Sequence, residues 1–274
     1  MADKLKIGVM TSLRPDVAGE LKRVKDFGLQ STQMACWGPE KYTTDNSKAV
    51  DLARKEYGVE ISTLWTGYSG PARWNFTEGP STIGLVPPEY RDTRVADLIA
   101  GAEFAAGLGI ASITTHAGFI PENPKDALYA GTVDALSKVA NRCKELGIGF
   151  YFETGQETPI TVLRVMKDIG TDNLGVNLDP ANLLMYGKAN PVDALDIIGP
   201  YVKGVHAKDG DYPTEPDSLG PEKALGEGRV NFPVLVPKLK SLGYTGPITI
   251  EREISGDKQI EDIKRAIAIL DPLC

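Results

Sequence analysis

Along the chain, short runs of apolar and β-branched residues alternate with longer segments whose apolar positions recur every three or four residues. The short runs have strand length, and the long ones carry the helical period. Eight runs read as strands: "KIGVMTS" from Lys6, "STQMACW" from Ser31, "VEISTLW" from Val59, "IASITTHAG" from Ile110, "IGFYFETG" from Ile148, "LGVNLDPAN" from Leu174, "YVKGVHAKD" from Tyr201 and "PITIERE" from Pro247. Helical patterns separate them: "VAGELKRVKDFG" from Val17, then Ser47–Tyr57, Arg91–Leu108, Ala127–Leu146, Ile160–Ile169, "PVDALDIIG" from Pro191, "FPVLVPKLKSLG" from Phe232 and "DKQIEDIKRAIAIL" from Asp257. Gly28, Gly58, Gly109, Gly147, Gly199 and Gly243 stand where a helix would end in a left-handed cap. Eight strands, each followed by a helix, predict an α/β protein: a (β/α)8 TIM barrel, a single domain over residues 1–274. A doubly wound sheet shares this alternation, but "VMTSLRPD" after the first strand lacks the Gly-rich phosphate turn. Two connections are long, Gly67–Tyr90 and Asp209–Asn231, and both are expected over the catalytic face as candidate lids.

Composition narrows the function. Asp and Glu number 37 against 30 Lys and Arg, a net charge of −7, which argues against a surface for nucleic-acid backbones. Cys36, Cys143 and Cys274 are odd in number, scattered and form no CxxC, as expected of reduced thiols. No apolar run approaches the roughly 20 residues of a membrane helix, and "MADKLKIGVMTS" contains no signal-like apolar stretch. A cytoplasmic protein without nucleic-acid or membrane partners is the expectation.

In a barrel of this type the active site is built at the C-terminal ends of the strands. The last four strands end in Glu153 of "YFETG", Asp179 of "NLDPAN", His206 of "VHAKD" and Glu251 of "TIERE". Any one alone could cap a strand or pair with a cation; four at consecutive strand ends is a more specific pattern. Unpaired, each charge would be costly in an apolar strand, and one divalent cation would satisfy all four. Three carboxylates and an imidazole suit Mn²⁺, Mg²⁺ or Co²⁺, with Zn²⁺ also compatible.

The motifs "YFETG", "NLDPAN", "VHAKDG", "LGEG" and "ITIERE" resemble, in order, the xylose isomerase-like barrels, in their sugar isomerase and epimerase branch. The resemblance implies one metal ion, most often Mn²⁺, held by Glu153, Asp179, His206 and Glu251. It also implies that Glu153 and Glu251 flank a ketose or keto-sugar and exchange its proton from opposite faces, through an enediolate. A sugar substrate and a homo-oligomer follow from the same resemblance. Two positions depart from the family's ketose 3-epimerases: Asn182 and Tyr212 stand where those enzymes place a histidine and an arginine.

Substrate contacts are expected from His116, Asn182, Lys208, Glu157 and Trp65, the first three from their places at or just beyond strand ends. For Glu157 a solvated loop position is the stronger expectation, and for His116 a hydrogen-bonded core role is comparable. Trp37 and Trp74 could stack on a sugar or simply fill the barrel mouth. Glu227 follows the family's Gly-Glu-Gly turn, whose glycines permit a sharp bend. A lyase that dehydrates an inosose or keto-sugar begins with the same proton abstraction and remains an alternative. A non-catalytic sugar-binding barrel is the alternative from another class. A DNA-repair endonuclease of this superfamily would need a histidine-rich multinuclear site, and the chain has only two histidines.

Overall fold

The computed structural model describes residues 4–274; residues 1–3, at the start of the predicted domain, lie outside the described residues. Eight parallel strands close into a barrel: β1 (Ile7–Ser12), β2 (Ser31–Cys36), β3 (Glu60–Thr66), β4 (Ser112–Thr115), β5 (Gly149–Glu153), β6 (Leu174–Leu178), β7 (Val202–Ala207) and, after the two short strands β8 (Asp209–Gly210) and β9 (Glu222–Lys223), β10 (Ile248–Ile250). The helices are α1 (Val17–Asp26), α2 (Thr44–Tyr57), α3 (Gly79–Thr82), α4 (Pro88–Gly107), α5 (Ala127–Glu145), α6 (Pro159–Ile169), α7 (Pro180–Met185), α8 (Pro191–Ile198), α9 (Phe232–Ser241) and α10 (Asp257–Leu270). The predicted barrel is present, with β5, β6, β7 and β10 side by side in its wall.

The local chemistry explains the boundaries. Strands β4 to β6 carry buried Ile113, Phe150, Phe152, Val176 and Leu178, as expected of strands covered on both faces. Helix α2 begins three residues before its predicted start because Thr43 caps it, accepting the Asn46 N–H at 3.2 Å. Helix α4 likewise begins earlier, at Pro88, where proline's missing N–H has no partner to lose. Five of the six proposed cap glycines have positive φ, from 63° at Gly58 to 85° at Gly243. Gly199 does not; at φ −51° it stays right-handed and leads through a 3₁₀ turn straight into β7.

The two long connections are more ordered than their composition suggests. The first contains α3 and is tied down by the buried Arg94 of α4, which donates to the Ser69, Gly84 and Pro71 carbonyls at 3.0, 2.6 and 2.7 Å. Its guanidinium also lies over the rings of Tyr68 and Tyr90. The second folds into the antiparallel β8–β9 pair. Both reach the C-terminal mouth of the barrel, since Trp74 of the first and Leu219 of the second line the cavity there.

Candidate metal centre and active site

Each of the four strand-end residues reaches the site through its own local geometry. Glu153 is the last residue of β5, and His206 lies next to the end of β7. Asp179 follows β6 and caps α7, its Oδ1 accepting the Asn182 N–H at 2.8 Å. That leaves Asp179 Oδ2 free for the centre. Glu251 follows β10, its N–H bonded to the Ala207 carbonyl at 3.2 Å. Thr154 ties β5 to β6, donating to the Asp179 carbonyl and accepting the Asp179 N–H.

One ligand atom from each of Glu153, Asp179, His206 and Glu251 lies within 4.8 Å of all the others. His206 Nδ1 sits at the focus, 3.2 Å from Glu153 Oε1, 3.0 Å from Glu251 Oε2 and 3.8 Å from Asp179 Oδ2. These are close approaches without hydrogen-bond geometry: His206 Nδ1, Asp179 Oδ2 and Glu251 Oε2 are all buried and have no hydrogen-bonding partner. Such groups are costly unless something else satisfies them. Three oxygens and a nitrogen converging on one point fit a divalent cation by both charge and donor type.

The electrostatics are those of a tight charged cluster. Burial opposes the charged form of His206, but Glu153 and Glu251 outweigh it and hold the imidazole well above its usual range. Burial likewise opposes ionisation of Glu251, yet Lys208 and His206 hold its carboxyl well below the ordinary value. Asp179 goes the other way, raised because burial exceeds the pull of Lys208.

Lys208 is buried, with Nζ 3.1 Å from Glu253 Oε1, 3.7 Å from Glu251 Oε2 and 3.8 Å from Asp179 Oδ2. It therefore balances acidic charge while also lining the cavity. The cavity above the cluster has a volume of about 350 Å³. Trp37, Trp65, Trp74 and His116 form an aromatic wall, with Trp37 and Trp65 centroids 4.6 Å apart and Trp74 and His116 4.9 Å apart. The Trp65 indole N–H donates to Glu153 Oε2, and His116 Nε2 lies 3.5 Å from Glu153 Oε1. Asn182 completes the predicted contacts that reach the cavity.

One expectation needs correction. Glu157 does not line the cavity and is not solvated: it is 1% exposed, both carboxylate oxygens lack partners, and burial pushes its pKa to about 8. The β5–α6 connection folds inward over the core, which its polar sequence conceals. Glu227 faces outward to pair with Arg265, while the flanking Gly226 and Gly228 supply backbone N–H groups to Asp209.

Several residues at or behind the site carry no sequence signal. Gln33 of β2 and Asn177 of β6 contact the far side of His206. Gln156 and Tyr186 line the cavity with unpartnered polar atoms. Buried Asp209 accepts four backbone N–H bonds from its own insertion. Glu253 alone was discoverable, being two residues beyond Glu251 and so on the same side of an extended segment.

Comparison with known proteins extends the picture. Residues 21–273 match the family model described as xylose isomerase-like TIM barrel. A crystal structure of a xylose isomerase domain protein from Planctomyces limnophilus superposes with a TM-score of 0.92 at 32% identity, covering 99% of this chain and 98% of that one. A D-tagatose 3-epimerase-like protein gives a TM-score of 0.74 at 25% identity, over 98% of this chain and 99% of that one. An uncharacterised protein of Methanocaldococcus jannaschii is 27% identical over 97% of this chain and 88% of its own length.

Proposed function

The chain belongs to the xylose isomerase-like TIM barrels, and on that premise we propose that it is a divalent-metal-dependent isomerase or epimerase of a ketose or keto-sugar. One observation carries the reading: the four ligand atoms of Glu153, Asp179, His206 and Glu251 converge within 4.8 Å beneath a cavity, three of them buried without hydrogen-bonding partners. The D-tagatose 3-epimerase-like neighbour supports the choice of chemistry. Mn²⁺ is the favoured ion for this oxygen-rich set, and Mg²⁺, Co²⁺ and Zn²⁺ share its donor preferences in part. When bound, such an ion supplies Lewis-acid polarisation of a substrate carbonyl and the neighbouring hydroxyl.

The protein's own groups then do the following. Glu153 and Glu251 arrive from β5 and β10, on either side of His206 of β7. A sugar carbon held between them presents opposite faces to the two carboxylates, so one removes the proton next to the carbonyl and the other returns one. Trp65 fixes Glu153 through its indole N–H, whereas Glu251 is the more exposed of the two side chains and its Oε2 has no hydrogen-bonding partner. The Lys208 ammonium stands 3.7 Å from Glu251 Oε2, where it keeps that carboxylate ionised and so able to take a proton. The aromatic wall of Trp37, Trp65 and Trp74 offers the apolar face of a sugar ring a stacking surface.

A panel of ketoses and keto-sugars incubated in D₂O with the Mn²⁺-loaded protein tests this reading. Deuterium should enter the carbon beside the carbonyl without loss of water. Loss of water would identify the dehydrating lyase instead. No exchange with any member, together with an absence of metal binding, would leave the non-catalytic sugar-binding barrel.

A further inference from the structure

The ligand nitrogen of His206 is Nδ1, and its other ring nitrogen faces two buried amides. His206 Nε2 lies 2.8 Å from Gln33 Oε1, and Gln33 Nε2 donates to Asn177 Oδ1 at 2.8 Å. The remaining Asn177 amide nitrogen stands 3.1 Å from His206 Nε2. All three side chains are at most 1% exposed, so the arrangement is shielded from bulk solvent. Because the Gln33 amide nitrogen turns to Asn177, donating one proton to it, its oxygen is what meets the ring and accepts a proton from Nε2. A protonated Nε2 has no lone pair for the Asn177 NH₂ at 3.1 Å, so the shorter Gln33 contact is the one that places the proton.

The backbone makes room for this pair. Gly204 of β7 lies opposite Asn177 in the β6–β7 register, and a Cβ there would fall 2.2 Å from Asn177 Oδ1 and 3.2 Å from Gln33 Nε2. Gln33, Asn177 and Gly204 thus come from three strands and share one task.

We propose that Gln33 is a positioning residue that locks the His206 ring, with Asn177 orienting it in turn, so that the Nε2 proton is held and the Nδ1 lone pair is offered to the cation. The inference rests on reading the four-residue cluster as a metal centre. A histidine ligand whose second nitrogen donates to a fixed acceptor is held in one tautomer and one rotamer, and losing such a partner typically weakens metal binding about 10–100-fold.

Two measurements on the 274-residue chain test it. In Mn²⁺ titrations, Gln33→Met, which keeps length but removes the acceptor, should bind about 10–100-fold more weakly than the parent. Gln33→Glu restores an acceptor oxygen and should bind within a few-fold of the parent or tighter. Equal affinity in all three chains overturns the proposal, as does an equal loss in both variants. Independently of any variant's folding, long-range ¹H–¹⁵N spectra of the Zn²⁺-loaded parent should place the His206 ring proton on Nε2. A proton on Nδ1 overturns the proposal. A parent that binds neither ion overturns the metal centre and this inference together; a parent that binds normally beside an unaffected Gln33→Met overturns this inference alone.

Discussion

Asp209→Asn tests whether one buried carboxylate organises the insertion over the cavity. Asp209 Oδ1 accepts the Gly210 and Val230 N–H groups at 2.9 and 3.1 Å, and Oδ2 accepts those of Gly226 and Gly228 at 2.9 and 3.1 Å. Asparagine keeps one oxygen and sets an NH₂ against the other two donors, so two charge-assisted bonds are lost whichever way it turns. Such bonds contribute about 1.5–3 kcal/mol each, and the lower figure applies because the Gly226 and Gly228 bonds are part-buried, giving a loss of ~3 kcal/mol. If the insertion unfolds only with the barrel, thermal unfolding should fall by roughly 6–12 °C. If it opens by itself, cleavage between residues 209 and 231 under limited proteolysis should accelerate up to about 100-fold while the barrel melts near its parental temperature. The insertion also supplies Leu219 to the cavity wall, and Glu222, which accepts the Glu253 N–H at 3.0 Å. Weaker substrate binding should accompany either outcome. Parental melting and parental cleavage in the same variant would refute the reasoning.

The other predictions address the site and its surroundings. Glu153→Gln and Glu251→Gln should each abolish proton exchange with solvent while leaving the fold intact by circular dichroism; exchange surviving in either would remove that residue from the chemistry. Trp65→Phe keeps the ring packing but loses the donor to Glu153, and the exchange rate measured by NMR should fall at least about 10-fold. Mn²⁺ at 100 times its dissociation constant should raise the melting temperature by roughly 5–10 °C, and EDTA should reverse the gain. Glu157 has its carboxyl raised from 4.5 to about 8 by burial, so the folded chain keeps a proton there that the unfolded chain releases above pH 4.5. Its contribution therefore declines as pH rises from 4.5 to about 8, by at most about 1.4 kcal/mol per pH unit. In urea unfolding across that window, Glu157→Gln should flatten the slope and be the more stable chain at pH 8; an unchanged slope would show that Glu157 is not buried as a neutral acid.

The barrel and the four strand-end residues were legible because both rest on local pattern. A strand buried on both faces announces itself as a continuous apolar run, and the first charge after "FYF", "VNL" or "ITI" marks where it leaves the core. Residues defined by distant partners left no such mark. Gln33 sits mid-strand in "STQMACW" and acquires meaning only from His206, 173 positions away. Arg94 reads as an ordinary surface charge on α4, yet it is fully buried among carbonyls and tyrosine rings. A Gly-Gln-Glu loop looks solvated, and nothing near Glu157 in the sequence reveals that the β5–α6 connection turns inward. Asp209 reads only as the start of a long connection, because its four backbone partners lie as far as 21 positions ahead.

Equilibrium dialysis of the purified chain against Mn²⁺ tests the metal centre most directly. The account predicts one tightly held ion per chain, lost in Asp179→Ala and in His206→Ala while both variants remain folded. An absence of saturable binding, or a parental ion count in those two variants, would contradict it.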